Sequence, residues 1–356
     1  MASTRAHSIA WPDWIAGLLF VGWDTLVQRF HARHVPRRLP LPSLSHLTVM
    51  ITGATSGIGL DTARALALSG AHVVFAVRNT NAANDLISQW QISQPHGQPP
   101  LQCEVMELDC LSLQSVRTLG ETWEARKLPL NLLINNAGIF CMTGPQKFSK
   151  DGCEQHMQVN HLAPALLTVL LLPSLARGAP SRVVMVNSIM HYVGFISPRD
   201  LSMKAEGRKY NNTCAYSNSK LAQVMFSNLL QRRLPKEAGI DVVCVHPGEV
   251  KSKVARDLPK LIQIAYHKLF FLFNSEEGAR SVLFCATDKL VQDHARHLRS
   301  LGYPLAPYFG PDLKIWSVAK QALDVEKAHL VWEETLKLVD LPADCIDTAL
   351  SGSFLT

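Results

Sequence analysis

The 356-residue sequence predicts an α/β fold of the doubly wound kind, a parallel sheet with helices on both faces in a single domain. Six short, nearly continuous apolar runs alternate with helix-length stretches between residues 47 and 246, as expected of strands buried on both sides. A glycine-rich turn, TGATSGIG, lies between the first run and the first helical stretch. Apolar residues make up 47% of the chain and charged residues 18%, a composition that supports a large core and argues against disorder.

The elements follow in order. WIAGLLFVGW, residues 14–23, is shorter than the roughly 20 residues a spanning helix needs, and Asp24 interrupts its continuation. No small-residue cleavage pattern follows it, which disfavours a removable signal peptide. Tryptophans at both ends and Arg29, Arg33, Arg37 and Arg38 beyond suit a helix lying in a membrane interface. A helix docked on the protein's own surface fits equally well. VPRRLPLPSLSH, residues 35–46, reads as a stiff linker. Residues 1–45 are therefore an N-terminal segment with its linker, 46–300 the body, and 301–356 a C-terminal extension.

The strand runs are LTVMIT (47–52), AHVVFAV (71–77), LQCEVMEL (101–108), LNLLIN (130–135), SRVVMVN (181–187) and IDVVCVH (240–246). Beyond residue 255 the rhythm gives way to LIQIAYHKLFFLF (261–273) and a helix that Asn274 and Glu277 can cap. Ala328, Val331, Trp332, Thr335, Leu336 and Val339 recur at helical spacing, the mark of a last amphipathic helix packed on the body.

A net charge of +6, mostly scattered, gives no nucleic-acid footprint. The eight cysteines form no CxxC pair and no His/Cys ligand spacing, so neither a metal site nor a disulfide framework is expected. Reduced thiols point to an intracellular protein, facing the cytosol if it meets a membrane. The acceptor tripeptide Asn211-Asn212-Thr213 is read as unused, because a glycan there would crowd Tyr216.

Gly53, Gly57 and Gly59 let the backbone turn tightly and approach a ligand, while the following helix offers free N–H groups and a positive dipole end to a pyrophosphate. Their spacing is G-x-x-x-G-x-G, distinct from the commoner Rossmann G-x-G-x-x-G. Where a dinucleotide site usually has an acid at the end of its second strand, this chain has Arg78. A guanidinium pairs with a 2′-phosphate, which favours NADP(H) over NAD(H).

Tyr216 and Lys220 stand four apart, on one helix face and roughly 6 Å apart at Cβ. A nearby cation lowers a phenol's pKa and makes a tuned proton donor, although the same spacing also marks ordinary solvated faces. Ser188 follows the fifth run and NNAG, residues 135–138, ends the fourth, so both reach the carboxyl edge of the sheet, where open α/β folds bind ligands.

Taken together, TGATSGIG, NNAG, MQVNHLAP, VNSIMH, YSNSK and HPGEV resemble, in order, the motifs of the short-chain dehydrogenase/reductase family over roughly residues 47–286. The insertion between the serine and tyrosine motifs is similar to that of the retinol-dehydrogenase branch. The resemblance implies a Rossmann-type fold and a hydride transfer between NADP(H) and a hydrophobic alcohol or carbonyl compound, retinoid-, steroid- or lipid-like, with NAD(H) as the lesser cofactor. It further implies that Tyr216 exchanges a proton with the substrate oxygen, Ser188 orients that oxygen, Lys220 depresses the phenol and holds the nicotinamide ribose, and Asn160 holds a water. On the same basis Thr52, Gly53, Ser56, Gly57, Ile58 and Gly59 cradle the cofactor, Asp109 meets its adenine, Asn136, Ala137 and Gly138 line it, and Pro247, Gly248 and Val250 lie by the nicotinamide.

Two residues depart from the family's habit. Glu249 puts a carboxylate in the PGEV turn, where it either faces the pyrophosphate and weakens binding or faces solvent without effect. Asn187 replaces a common serine and is expected to alter only packing. Leu261, Ile262, Ile264, Ala265, Leu269, Phe270, Phe271 and Phe273 suggest an apolar lid over residues 256–273, with a buried helix as the alternative. Contact with a membrane surface would run through residues 14–38 and 261–273. Homo-oligomerisation stays open, as does a regulatory or scaffold protein that keeps the NADP fold and acts through partners.

Overall fold

Seven parallel strands form one sheet in the computed structural model, which describes residues 11–95, 97–204, 210–251, 269, 271–301 and 305–352. They are β1 (Thr48–Thr52), β2 (His72–Val77), β3 (Cys103–Glu107), β4 (Leu132–Asn135), β5 (Ser181–Val186), β6 (Ile240–Val245) and β7 (Tyr308–Phe309). Their spatial order is β3-β2-β1-β4-β5-β6-β7, so the chain reverses direction between β1 and β4, and a ligand crevice opens at that switch point. The six runs read from the sequence all lie in this sheet. The seventh strand comes from the segment read as a C-terminal extension, which therefore belongs to the sheet itself.

Alternation along each strand divides the core. Met50, Val74 and Met106 pack on one side with α4 (Leu113–Ala125), α6 (Ala163–Leu170) and α8 (Asn212–Arg233). Val49, Ile51, Val73 and Phe75 pack on the other with α2 (Gly57–Leu68), α3 (Thr80–Ile92) and α9 (Ser275–Thr287). The Asn274–Glu277 capping box starts α9 as the sequence implied. Two short helices, α5 (Gln155–Met157) and α7 (Leu172–Arg177), and α10 (Lys289–Ser300) complete the series up to α11 (Val325–Leu338). In α11 Trp332 stacks on Phe226 with ring centroids 4.8 Å apart.

The N-terminal segment is not a separate arm. Helix α1 (Trp11–His31) lies on the body with Gly17, Asp24 and Gln28 inward, and turns Leu19, Trp23, Leu26 and Phe30 outward, the last three at 60–62% exposure. This reverses the usual placement of apolar and polar faces. The Pro-rich stretch, expected as a stiff linker, is fastened to the body: Val35 and Leu44 are buried, the Leu44 N–H donates to the Ser69 carbonyl at 2.8 Å, and Arg280 donates to the carbonyls of Val35 and Pro36. Most of the expected lid, residues 256–268 and 270, lies outside the described residues. Phe273 is a core residue rather than a lid residue, packed with Ala32, Val35 and Val250.

Candidate active site

The glycine loop is built for close approach. Gly53 and Gly57 hold φ values of +70° and +58°, which side chains disfavour. A Cβ on Gly59 would lie 2.3 Å from Asn136 Nδ2 and 2.5 Å from the Gly53 carbonyl. Asn136 spans the loop, donating to the carbonyls of Thr52 at 2.8 Å and Gly53 at 3.3 Å, and the Ala137 N–H donates to Thr52 Oγ1 at 2.9 Å. Thr52, Asn136 and Ala137 thus brace the loop. Ser56, at the N-cap of α2, is extended and makes no side-chain cap, so the helix end stays open beside Ile58 and Gly59. An open helix N-terminus under a glycine turn fits a pyrophosphate.

Arg78 is exposed at the end of β2 and makes no hydrogen bond or ion pair among the described residues. Asp109, past the end of β3, accepts from the Leu111 N–H at 3.0 Å through one carboxylate oxygen. Both lie at the carboxyl edge where the adenosine half of a dinucleotide is expected.

The catalytic candidates converge on the other side of the switch point. Ser188 caps the turn after β5, and its Oγ accepts from the Met190 N–H at 3.2 Å. Tyr216 and Lys220 lie on α8, with the Lys220 Nζ 5.9 Å from the Tyr216 ring centre and donating to the Val186 carbonyl at 2.8 Å. Burial pushes the Tyr216 phenol up, a hydrogen bond with Ser188 draws it back, and the Glu249 charge adds to the rise. Burial also lowers the Lys220 ammonium to about 8. Desolvation is thus the largest influence on the phenol, against the net depression expected from the lysine.

Asn160 sits in a π-turn, Gln158–Leu162, a distortion often found at functional sites. Its side chain accepts from the Ile139 N–H at 2.8 Å and donates to the Ile139 carbonyl and to Ser219 Oγ, both at 3.0 Å. A Cβ on Gly138 would meet Asn160 Oδ1 at 3.3 Å and Lys220 Nζ at 3.7 Å, so the NNAG turn, the asparagine and the lysine share one corner. Pro247 and Gly248 follow β6, with Gly248 at φ +84° and Val250 buried.

A model of the short chain dehydrogenase family matches residues 47–198. Dehydrogenase/reductase SDR family member FEY of Arabidopsis thaliana is 48% identical over 349 residues, covering 98% of this chain and 93% of the relative. The chain is a short-chain dehydrogenase/reductase. Phrases such as AVRNT, QKFSKDG and MHYVGF resemble the plant FOREVER YOUNG oxidoreductase, which that relative is. Bovine retinol dehydrogenase 12 is 37% identical over 296 residues, 82% of this chain and 86% of its own. A crystal structure of an uncharacterised protein from Mycobacterium paratuberculosis aligns with a TM-score of 0.65 at 32% identity, covering 85% of this chain and 96% of that one. The protein is thus an oxidoreductase with relatives named dehydrogenases.

Within this short-chain dehydrogenase/reductase, three features escape sequence reasoning. Phe140 stacks on the Tyr216 ring with centroids 4.3 Å apart and planes 15° apart. Its loop is held by His156, whose Nε2 accepts from the Cys141 N–H at 2.9 Å, so the ring proton sits on Nδ1, 2.8 Å from Glu154 Oε1. Asn187 does more than fill space: its Oδ1 receives the Ser188 N–H at 2.8 Å, and its Nδ2 reaches the Lys220 carbonyl at 2.9 Å and Gln223 at 2.8 Å. It ties the serine to the tyrosine helix. Glu249 is the third. It is half-buried within electrostatic reach of Tyr216 and Asp24, and burial first, then Asp24, raises its carboxyl to about 7.

Proposed function

We propose that this oxidoreductase uses NADP(H) to interconvert a hydrophobic alcohol and its carbonyl, retinoid-, steroid- or lipid-like, with Tyr216 as general acid and base. The observation that carries the reading is the convergence of Ser188, Tyr216, Lys220 and the Asn160–Gly138 corner beside a braced, open glycine loop. When bound, the nicotinamide supplies or accepts the hydride. Ser188 and Tyr216 hold the substrate oxygen between their hydroxyls, which fixes the reacting carbon relative to the nicotinamide. Tyr216 gives its proton to that oxygen in reduction and takes one in oxidation, and Lys220 next to it holds positive charge that compensates the phenolate. Arg78 provides a guanidinium, unpaired among the described residues, for a 2′-phosphate. The name of the bovine relative, retinol dehydrogenase, supports an apolar alcohol as substrate.

The outward face of α1 adds a place of work. No described helix is long and apolar enough to cross a membrane. Leu19, Trp23, Leu26 and Phe30 face outward, and Arg33, Arg37 and Arg38 follow, so α1 rests on a lipid surface with its basic end among anionic headgroups. Trp23→Ser with Leu26→Ser abolishes flotation with anionic vesicles. Tyr216→Phe leaves NADPH binding intact and lowers turnover of a hydrophobic aldehyde about 10²- to 10⁴-fold. Turnover at the wild-type rate would sink the enzymatic reading.

A further inference from the structure

The reading above leaves the N-terminal helix outside the chemistry, and its buried contacts bring it in. Gln28 is fully buried on the inner face of α1, and its amide is spent on the loop that follows β6. Its Oε1 accepts from the Glu249 N–H at 2.8 Å, and its Nε2 donates to the Phe271 carbonyl at 2.9 Å and to the Glu249 carbonyl at 3.2 Å. One side chain therefore pairs both backbone groups of Glu249. The same carbonyl also takes the Phe273 N–H at 3.0 Å, and Val250 bridges Phe273, so Gln28 closes a miniature ladder between the two arms of the loop. The fit is tight: a Cβ on Gly248 would lie 2.8 Å from Gln28 Oε1 and 2.5 Å from the Phe273 ring.

This loop carries Pro247, Gly248 and Val250, and Gly248 sits at a positive φ that leaves glycine free to change course when unsupported. A buried amide that satisfies three backbone groups removes that freedom, because each group left unpaired away from water is penalised. Farther along the same helix, Gly17 packs so closely on the turn after Ser188 that a Cβ there would lie 2.8 Å from the Tyr192 carbonyl. Helix α1 therefore spans the two loops that flank the crevice.

We infer that Gln28 is a positioning residue for the nicotinamide-side loop, so that the N-terminal helix completes the cofactor site. The inference rests on the proposal that NADP(H) occupies the crevice. Gln28→Met keeps the side chain's length and removes its hydrogen bonds. In the full-length protein without cofactor, amide exchange of the peptide spanning Glu249 then speeds up at least tenfold. NADPH affinity, read by fluorescence quenching, falls about tenfold while the melting temperature stays close to wild type. Arg29→Ala is the comparison, since Arg29 fastens the same helix through the Leu272 carbonyl at 2.7 Å and through Glu277. It is expected to leave NADPH affinity within twofold. Unchanged exchange at Glu249 in Gln28→Met overturns the inference, and so does equal loss of NADPH affinity in Arg29→Ala. If the wild type binds no NADPH, the cofactor proposal fails, while the exchange measurement still decides whether Gln28 holds the loop.

Discussion

Asp24 predicts an unusual dependence of stability on pH. The residue is 2% exposed on the inner face of α1, and its Oδ2 has no hydrogen-bond partner among the described residues. The nitrogen His31 Nδ1 lies 3.8 Å from Oδ1. Burial is the largest influence and raises the carboxyl from 3.8 to about 6; His31 opposes the rise and Asp312 adds to it. A carboxyl whose folded pKa is raised binds its proton more tightly in the native state. The native state therefore carries no penalty below about pH 4, loses stability as pH climbs through 6, and carries the whole penalty above that. About two pKa units at 1.36 kcal/mol each set the penalty at about 3 kcal/mol. Asp24→Asn keeps the shape and removes the charge. Thermal melting of both proteins between pH 4 and pH 8 should show the variant melting higher at pH 8, with the gap closing as pH falls. A gap independent of pH, or a variant that melts lower at pH 8, would refute the reasoning.

Further outcomes follow from the site. Gly59→Ala brings a Cβ 2.3 Å from Asn136 Nδ2 and 2.5 Å from the Gly53 carbonyl, and equilibrium titration should show NADPH affinity reduced more than tenfold in a protein that still folds. Arg78→Ala should weaken NADPH by about tenfold or more and leave NADH nearly unchanged, measured as the ratio of the two KM values; equal losses would remove Arg78 from phosphate recognition. Glu249→Gln deletes a charge that raises the Tyr216 phenol, so the rising limb of the pH profile for alcohol oxidation should move to lower pH. An unmoved limb would separate Glu249 from the tyrosine.

The sheet was legible because its central strands are buried on both faces and so read as continuous apolar runs, as in LTVMIT and IDVVCVH. The glycine loop was legible because close backbone approach leaves only glycine as an option at Gly59. β7 was not, since two residues, Tyr308 and Phe309, carry no periodicity. Phe140 was invisible for a different reason: nothing local in FCMTG marks a ring that stacks on a tyrosine on another element. The N-terminal helix misled in a more instructive way. Asp24 looked like a polar interruption of an apolar helix, yet it is buried with Gln28 and Gly17, while Leu19, Trp23, Leu26 and Phe30 face outward. Amphipathic patterning reveals that a helix has two faces without saying which one meets the protein.

That inversion reaches into the making of the chain. Among the described residues the Gln28 side chain finds its partners 221 and 243 positions downstream, so α1 leaves the ribosome long before these groups that hold it have been made. Domains generally fold as units while synthesis proceeds from the N-terminus, and for most of that time this helix has its aromatic and aliphatic side chains on offer and its own docking surface unmade. Whatever receives the nascent chain, a bilayer or a chaperone, meets Trp23 and Phe30 before the enzyme exists.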